Sequence, residues 1–194
     1  MNRCNISVKV IVVAAMLFLC GPVSADVSGM LMMCGACHGE DGRGTQANVP
    51  IIAGVPAIIQ EDALYAYADG DRNCGSAPMM CNVVSGLTED QVVELAAHFS
   101  AMPYAPANEE FDAALAAAGE SIHKENCAIC HGADDPGEAE AGILHGQRRD
   151  YLRFALQQYA AGERTQLPAM EKVTNALSAD DIEALINYYA SYRE

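Results

Sequence analysis

Cys34-Gly35-Ala36-Cys37-His38 and Cys127-Ala128-Ile129-Cys130-His131 share the pattern C-x-x-C-H, each followed by a glycine. Two thiols at that spacing can add to the two vinyl groups of one haem, and the adjoining histidine can ligate the iron from the proximal side. A bare C-x-x-C would also suit zinc or a redox disulfide. The histidine, the following Gly39 and Gly132, and the second copy point instead to two covalently bound c-type haems. Cys34, Cys37, Cys127 and Cys130 are the expected attachment points, with His38 and His131 as proximal iron ligands.

A haem held by histidine takes a sixth ligand whose identity sets its chemistry. Methionine sulfur raises the potential and suits electron transfer, whereas an open position admits substrate or oxygen. Met170 is the only methionine after His131. After His38 come Met79, Met80 and Met102, of which Met80 lies eight residues before Thr88, as Met170 lies eight before Ser178. Met80 and Met170 are therefore the expected distal ligands, each in a proline-containing loop (Pro78, Pro168). Met79 is expected to pack nearby. His98, His123 and His145 are assigned surface or propionate-adjacent places.

Cys74 and Cys81 bracket the first methionine loop and have no counterpart in the second half. They read either as a disulfide stiffening the loop that carries Met80, or as a source of a thiolate ligand to the first haem. Arg72 and Arg164, at equivalent places, read either as partners of haem propionates or as solvated helix ends.

The elements that must hold these groups occur twice. His38 matches His131 at an offset of 93 residues; Ile51, Gly54, Leu64, Tyr67 and Arg72 match Ile143, Gly146, Leu156, Tyr159 and Arg164 at 92; Met80, Leu87, Leu95 and Phe99 match Met170, Leu177, Leu185 and Tyr189 at 90. Such a repeat predicts two homologous domains, 26–102 and 107–194, joined by a proline-bounded linker at 103–106. Each is small for a core made of side chains alone, and a covalent haem supplies the missing apolar mass.

Within each half the last helix is the clearest element. Thr88 with Gln91 makes a capping box ahead of the stripe Val92, Leu95, Ala96 and Phe99; Ser178 opens the matching stripe Ile182, Leu185, Ile186 and Tyr189. Middle helices are expected near 60–69 and 149–161, closed by Gly70 and Gly162. An entry helix near 108–126 is expected to bury Phe111, Leu115, Ala118 and Ile122. No strand-like alternation of useful length occurs, so the fold class is all-α.

Residues 1–25 have the form of a signal peptide: Arg3 and Lys9, an apolar run from Val10 to Leu19, then Val23-Ser24-Ala25. The apolar run is shorter than the roughly 20 residues of a spanning helix, so no stable span is expected after cleavage and the chain is expected in the periplasm. Without Arg3 and Lys9 the chain keeps 9 Lys and Arg against 26 Asp and Glu, a formal charge of −17. That charge repels nucleic acid and suits redox partners with basic docking surfaces. No P-loop, G-x-G-x-x-G, G-x-S-x-G or H-E-x-x-H pattern is present, which leaves the haems as the evident chemistry.

With both motifs, both methionines and the tandem repeat in place, the chain resembles the di-haem class I cytochromes c. The segments Tyr104–Ala107, Phe111–Ala116, Ile122-His123-Lys124 and Ile143–Gln147 with Tyr151-Leu152 look most like the cytochrome subunit of flavocytochrome c sulfide dehydrogenase. Gly146-Gln147 with a tyrosine four residues on is shared with cytochrome c4. The resemblance implies two cytochrome c domains related by a pseudo-twofold axis. It also implies a periplasmic electron-transfer protein, not catalytic by itself, that accepts electrons from an FAD-bearing sulfide-oxidising subunit. The alternatives are a free-standing c4-type donor to a terminal oxidase and, from another class, a di-haem enzyme with a labile or thiolate-ligated iron. The Cys74/Cys81 pair belongs to neither relative's pattern.

Overall fold

Thr88 Oγ1 accepts from the Gln91 N–H at 3.3 Å while Gln91 Oε1 accepts from the Thr88 N–H at 3.0 Å. Ser178 and Asp181 repeat the arrangement at 3.1 and 2.9 Å. These reciprocal caps satisfy donors that a helix start leaves unpaired, and so fix where the last helix of each half begins. The computed structural model describes residues 26–132 and 142–193; the expected signal peptide lies outside them.

Among the described residues the chain is helical, in the order α1 (Ser28–His38), α2 (Ala57–Ala68), α3 (Pro78–Val84), α4 (Glu89–Ser100), α5 (Ala113–Asn126), α6 (Ala128–His131), α7 (Arg149–Ala160), α8 (Pro168–Thr174) and α9 (Ala179–Ala190). Helices α1–α4 and α5–α9 form two halves of like order: motif helix (divided into α5 and α6 in the second half), middle helix, short helix, last helix. No strand occurs among the described residues, and the extended pairing they show is a single antiparallel bridge between Arg72 and Arg164.

Helix α2 packs on α3 and α4, and α7 packs on α8 and α9. The stripes on α4 and α9 are buried as their spacing requires, and Leu152 of α7 joins the α9 core. Helices α2 and α7 end just before Gly70 and Gly162, whose φ values of 82° and 70° suit glycine.

Three expectations need correction. Helix α5 starts at Ala113, where Asp112 Oδ1 accepts from the Ala114 and Leu115 N–H groups at 2.8 and 3.0 Å. Its inward face is Ala116, Gly119 and His123, while Phe111, Leu115 and Ala118 are exposed and Ile122 is half-buried. Small residues face α9 because its backbone comes so close that large side chains would not fit. Helix α2 begins at Ala57, after Pro56, rather than near residue 60. The loops expected around Met80 and Met170 are the short helices α3 and α8. Each starts with proline in its first turn, where a missing N–H costs nothing.

The chain between α4 and α5 is docked on the second half. Tyr104 Oη donates to the His145 carbonyl at 2.5 Å and the Ala107 N–H to the Gly146 carbonyl at 2.8 Å. Further along the interface, the Asn73 N–H meets the Glu163 carbonyl at 3.0 Å and the Thr165 N–H the Asp71 carbonyl at 2.9 Å. Gln158 Nε2 donates to Ser76 Oγ.

Candidate haem-binding sites

Cys34, Cys37 and His38 occupy the last turn of α1. Cys127 caps α5, and Cys130 and His131 follow on α6, the His131 N–H bonding the Cys127 carbonyl at 3.0 Å. Gly39 and Gly132 then leave the helix at φ of 80° and 75°. At Gly39 an added Cβ would lie 2.6 Å from Asp41 Oδ1. The positive φ makes glycine the suitable residue after the histidine, which explains the fourth position that both copies of the motif share.

The two histidines are held alike. His38 Nδ1 lies 3.2 Å from the Pro50 carbonyl and His131 Nδ1 lies 3.4 Å from the Gly142 carbonyl. A carbonyl only accepts, so Nδ1 carries the proton and Nε2 keeps its lone pair. Burial pushes both imidazoles below the usual 6.5; the carbonyl bonds oppose this in part, and His123 adds to it at His131. Neutral imidazoles with Nε2 free to donate are what an iron needs, and the backbone bond to Nδ1 sets ring orientation and basicity. None of the four motif cysteines is taken up in a disulfide, which leaves all four to attach haem, and burial raises the thiols of Cys34 and Cys127.

Met80 and Met170 are half-buried at matching places on α3 and α8, whereas Met79 is 64% exposed. Cys74 and Cys81 form a disulfide. The bond closes the segment around Met80 and removes the thiolate that one form of the enzyme reading invokes.

Arg164 is buried, its guanidinium stacked on the rings of Tyr151, Phe154 and Tyr159 at 5.4 to 5.7 Å. Its Nε donates to Gln158 Oε1 at 2.7 Å, but its buried Nη2 has no protein partner. An orphaned buried cation donor is costly unless an anion meets it, which fits a haem propionate. Arg72, the paired residue across the bridge, is half-buried over Tyr67. Neither is a solvated helix end.

His98 lies at the surface as expected, but His123 and His145 do not. Both are buried among Tyr188 and Tyr189. His123 Nε2 donates to the Gly132 carbonyl at 2.8 Å and Nδ1 meets the Tyr189 hydroxyl at 3.0 Å, so its ring is fully used inside the second half.

Gln147 stands out in the sequence only as part of a shared motif, and Arg148 and Asp150 stand out in no pattern. These three residues hold the first half to the second. Gln147 Oε1 accepts from the Ile51 N–H at 2.7 Å and its Nε2 donates to the Ile51 carbonyl at 2.9 Å. Arg148 Nη1 donates to the Gly44 carbonyl at 2.9 Å, and the Asn48 N–H reaches Asp150 Oδ2 at 3.0 Å. The available signal was an asymmetry of the repeat: Val55, Pro56 and Ile58 stand at the matching positions of the first half.

Residues 114–188 match the family model described as cytochrome c oxidase, cbb3-type, subunit III. The chain is 30% identical to cytochrome c4 of Stutzerimonas stutzeri over 82% of this chain and 84% of that one. It is also 30% identical to a thiosulfate dehydrogenase electron acceptor of Thiomonas intermedia, over 90% of this chain and 86% of that one. The structure of reduced recombinant cytochrome c4 from Pseudomonas stutzeri superposes with a TM-score of 0.70 at 28% identity, covering 84% of this chain and 94% of that one. An all-helical chain with two C-x-x-C-H motifs, two tandem halves and this extent of likeness belongs to the di-haem class I cytochromes c of the cytochrome c4 kind, electron-transfer proteins carrying two covalently bound haem c groups.

Proposed function

We propose that this chain is a periplasmic electron carrier that accepts electrons from a dehydrogenase acting on an inorganic sulfur compound. Its two cytochrome c domains would span 26–102 and 107–194, with 103–106 between them and 1–25 removed on export. Cys34 and Cys37 would hold one haem and Cys127 and Cys130 the other. His38 with Met80 and His131 with Met170 would ligate the irons. The observation that carries this reading is the matched pair of neutral, Nδ1-anchored histidines, each accompanied in its own half by a half-buried methionine on a short helix further along the chain, α3 or α8. Bound haem supplies a one-electron couple. The residues around it keep the same ligands in both oxidation states, so little rearrangement accompanies transfer. Arg164 offers its buried Nη2 to a propionate and lowers the cost of burying that charge.

The preferred donor is an FAD-bearing sulfide-oxidising flavoprotein with a basic docking surface, supported by the sequence segments around Tyr104–Ala107 and Ile143–Gln147 and by the charge of −17 outside residues 1–25. A thiosulfate dehydrogenase is the second candidate, because a relative described as a thiosulfate dehydrogenase electron acceptor aligns along 90% of the chain. A c4-type donor to a terminal oxidase is the further reading, favoured by likeness to cytochrome c4 across both halves.

The test is anaerobic reduction of the purified holoprotein, followed at its haem bands, with sulfide plus the flavoprotein and with thiosulfate plus its dehydrogenase. Reduction that depends on sulfide and flavoprotein is expected. Reduction by the thiosulfate pair alone would move the assignment to that donor. Reduction by neither, with ready oxidation by a terminal oxidase, would leave the c4-type reading.

A further inference from the structure

We propose that Gln147 and Arg148 of the second half are positioning residues for His38 of the first, so that the proximal side of haem 1 is set across the domain interface. The inference rests on the reading of His38 as an iron ligand. Two backbone groups bracket that histidine: the Pro50 carbonyl receives its Nδ1–H, and the Gly44 N–H bonds its own carbonyl at 2.6 Å. The second half grips both neighbourhoods. Gln147, 3% exposed, binds the N–H and the carbonyl of Ile51, the residue after Pro50. Arg148 binds the Gly44 carbonyl and is itself held by Asp150, which takes the Asn48 N–H. Segment 44–51 is thus pinned at three points by residues 147–150.

A carboxamide that both donates to and accepts from one residue fixes that peptide in position and rotation. The adjoining Pro50 carbonyl can then shift little, and the strength of its bond to Nδ1 governs how basic the imidazole is toward iron. Among the described residues the grip runs one way. His131 has the same carbonyl partner type in Gly142, but Val55, Pro56 and Ile58 at the matching places of the first half have no side-chain group that could hold it so. Haem 1 should therefore respond to the interface and haem 2 should not.

The test uses the di-haem holoprotein with Gln147→Leu, Arg148→Met and, as control, Thr165→Val, which removes an interdomain hydroxyl bond to the Asp71 carbonyl away from segment 44–51. Each haem is titrated separately through its own methyl resonances in ¹H NMR, and the His38 and His131 Nδ1–H protons are followed in the reduced protein. Gln147→Leu is expected to raise the potential of haem 1 alone and to speed exchange of the His38 Nδ1–H at least tenfold. Arg148→Met should do the same more weakly, and Thr165→Val should do neither. Equal shifts at both haems, the same shift with Thr165→Val, or an unmoved haem 1 would overturn the proposal. If Gln147→Leu fails to fold, Arg148→Met carries the test. Failure of the ligand reading is distinguishable: the wild-type His38 ring proton would then lack the haem ring-current shift altogether.

Discussion

Gly119 faces the Ala184 carbonyl so closely that a Cβ built on it would lie 2.1 Å from the oxygen and 2.9 Å from the Leu185 nitrogen. Helices α5 and α9 cross backbone to backbone at this point, with Ala116 and His123 on either side. The first half has no such crossing at the matching turn, because α1 begins at Ser28, six residues before Cys34. The second half therefore holds its motif by helix packing. The first half holds the segment that follows its motif by the grip of residues 147–150.

Gly119→Ala should destabilise the second half selectively. The Cβ would meet backbone, which cannot rotate away, so the helices must part. Overpacking of this kind costs about 1–3 kcal/mol and can exceed that where nothing yields. Chemical denaturation of the holoprotein should show an earlier transition at the second haem, read by its bands. An unchanged midpoint would show that α5 and α9 can separate without loss.

Cys74→Ser with Cys81→Ser should loosen the chain around Met80. The bond closes residues 74–81, immediately beside the methionine, and a loop that short contributes about 2–3 kcal/mol in the chain-entropy account. The ferric protein should then lose part of its far-red methionine band on mild warming, from haem 1 alone. Equal loss from both haems would contradict the assignment.

Asp150 gives the interface a pH dependence. Partial burial works against its carboxylate, but bonds from Arg148, the Asn48 N–H and the Tyr151 N–H outweigh this and hold it below its usual 3.8. A group with a depressed folded value contributes stability that is fully present above the unfolded value and lost as pH falls through the folded one. The difference in unfolding free energy between wild type and Asp150→Ala should accordingly be constant from neutrality down to about pH 5 and then shrink in more acidic solution. Denaturant titrations at several pH values check this, and a difference that grew on acidification would refute it.

Much of this molecule could be read from spacing because its rules are local. The capping boxes at Thr88 and Ser178, the stripes behind them and the glycines after α2 and α7 each lie within a few residues of what they control. The motif histidines and the candidate methionines surfaced through the repeat. Helix α5 was misread because hydrophobicity favoured Phe111 and Leu115, whereas the close approach of α9 admits only the small Ala116 and Gly119. His123 and His145 are polar types buried by partners that are remote in sequence. Gln147 binds Ile51 across 96 residues, a relation that no local pattern encodes; its only trace is the valine that replaces it in the other half.

The choice between adjacent methionines gives a direct test of the distal side. Met80 is half-buried and aligned with Met170, while Met79 is 64% exposed one position earlier on α3. Successive residues on a helix point about 100° apart, so both cannot face the same iron. Met80→Ala should remove the far-red band of haem 1, and Met170→Ala that of haem 2, each lowering its own haem's potential by on the order of 0.1 V within the roughly 0.8 V that axial ligands command. Met79→Ala should leave both bands and both potentials in place. Loss of the haem 1 band with Met79→Ala but not with Met80→Ala would reverse the pair, and would mean that α3 turns by one residue when the haem is bound.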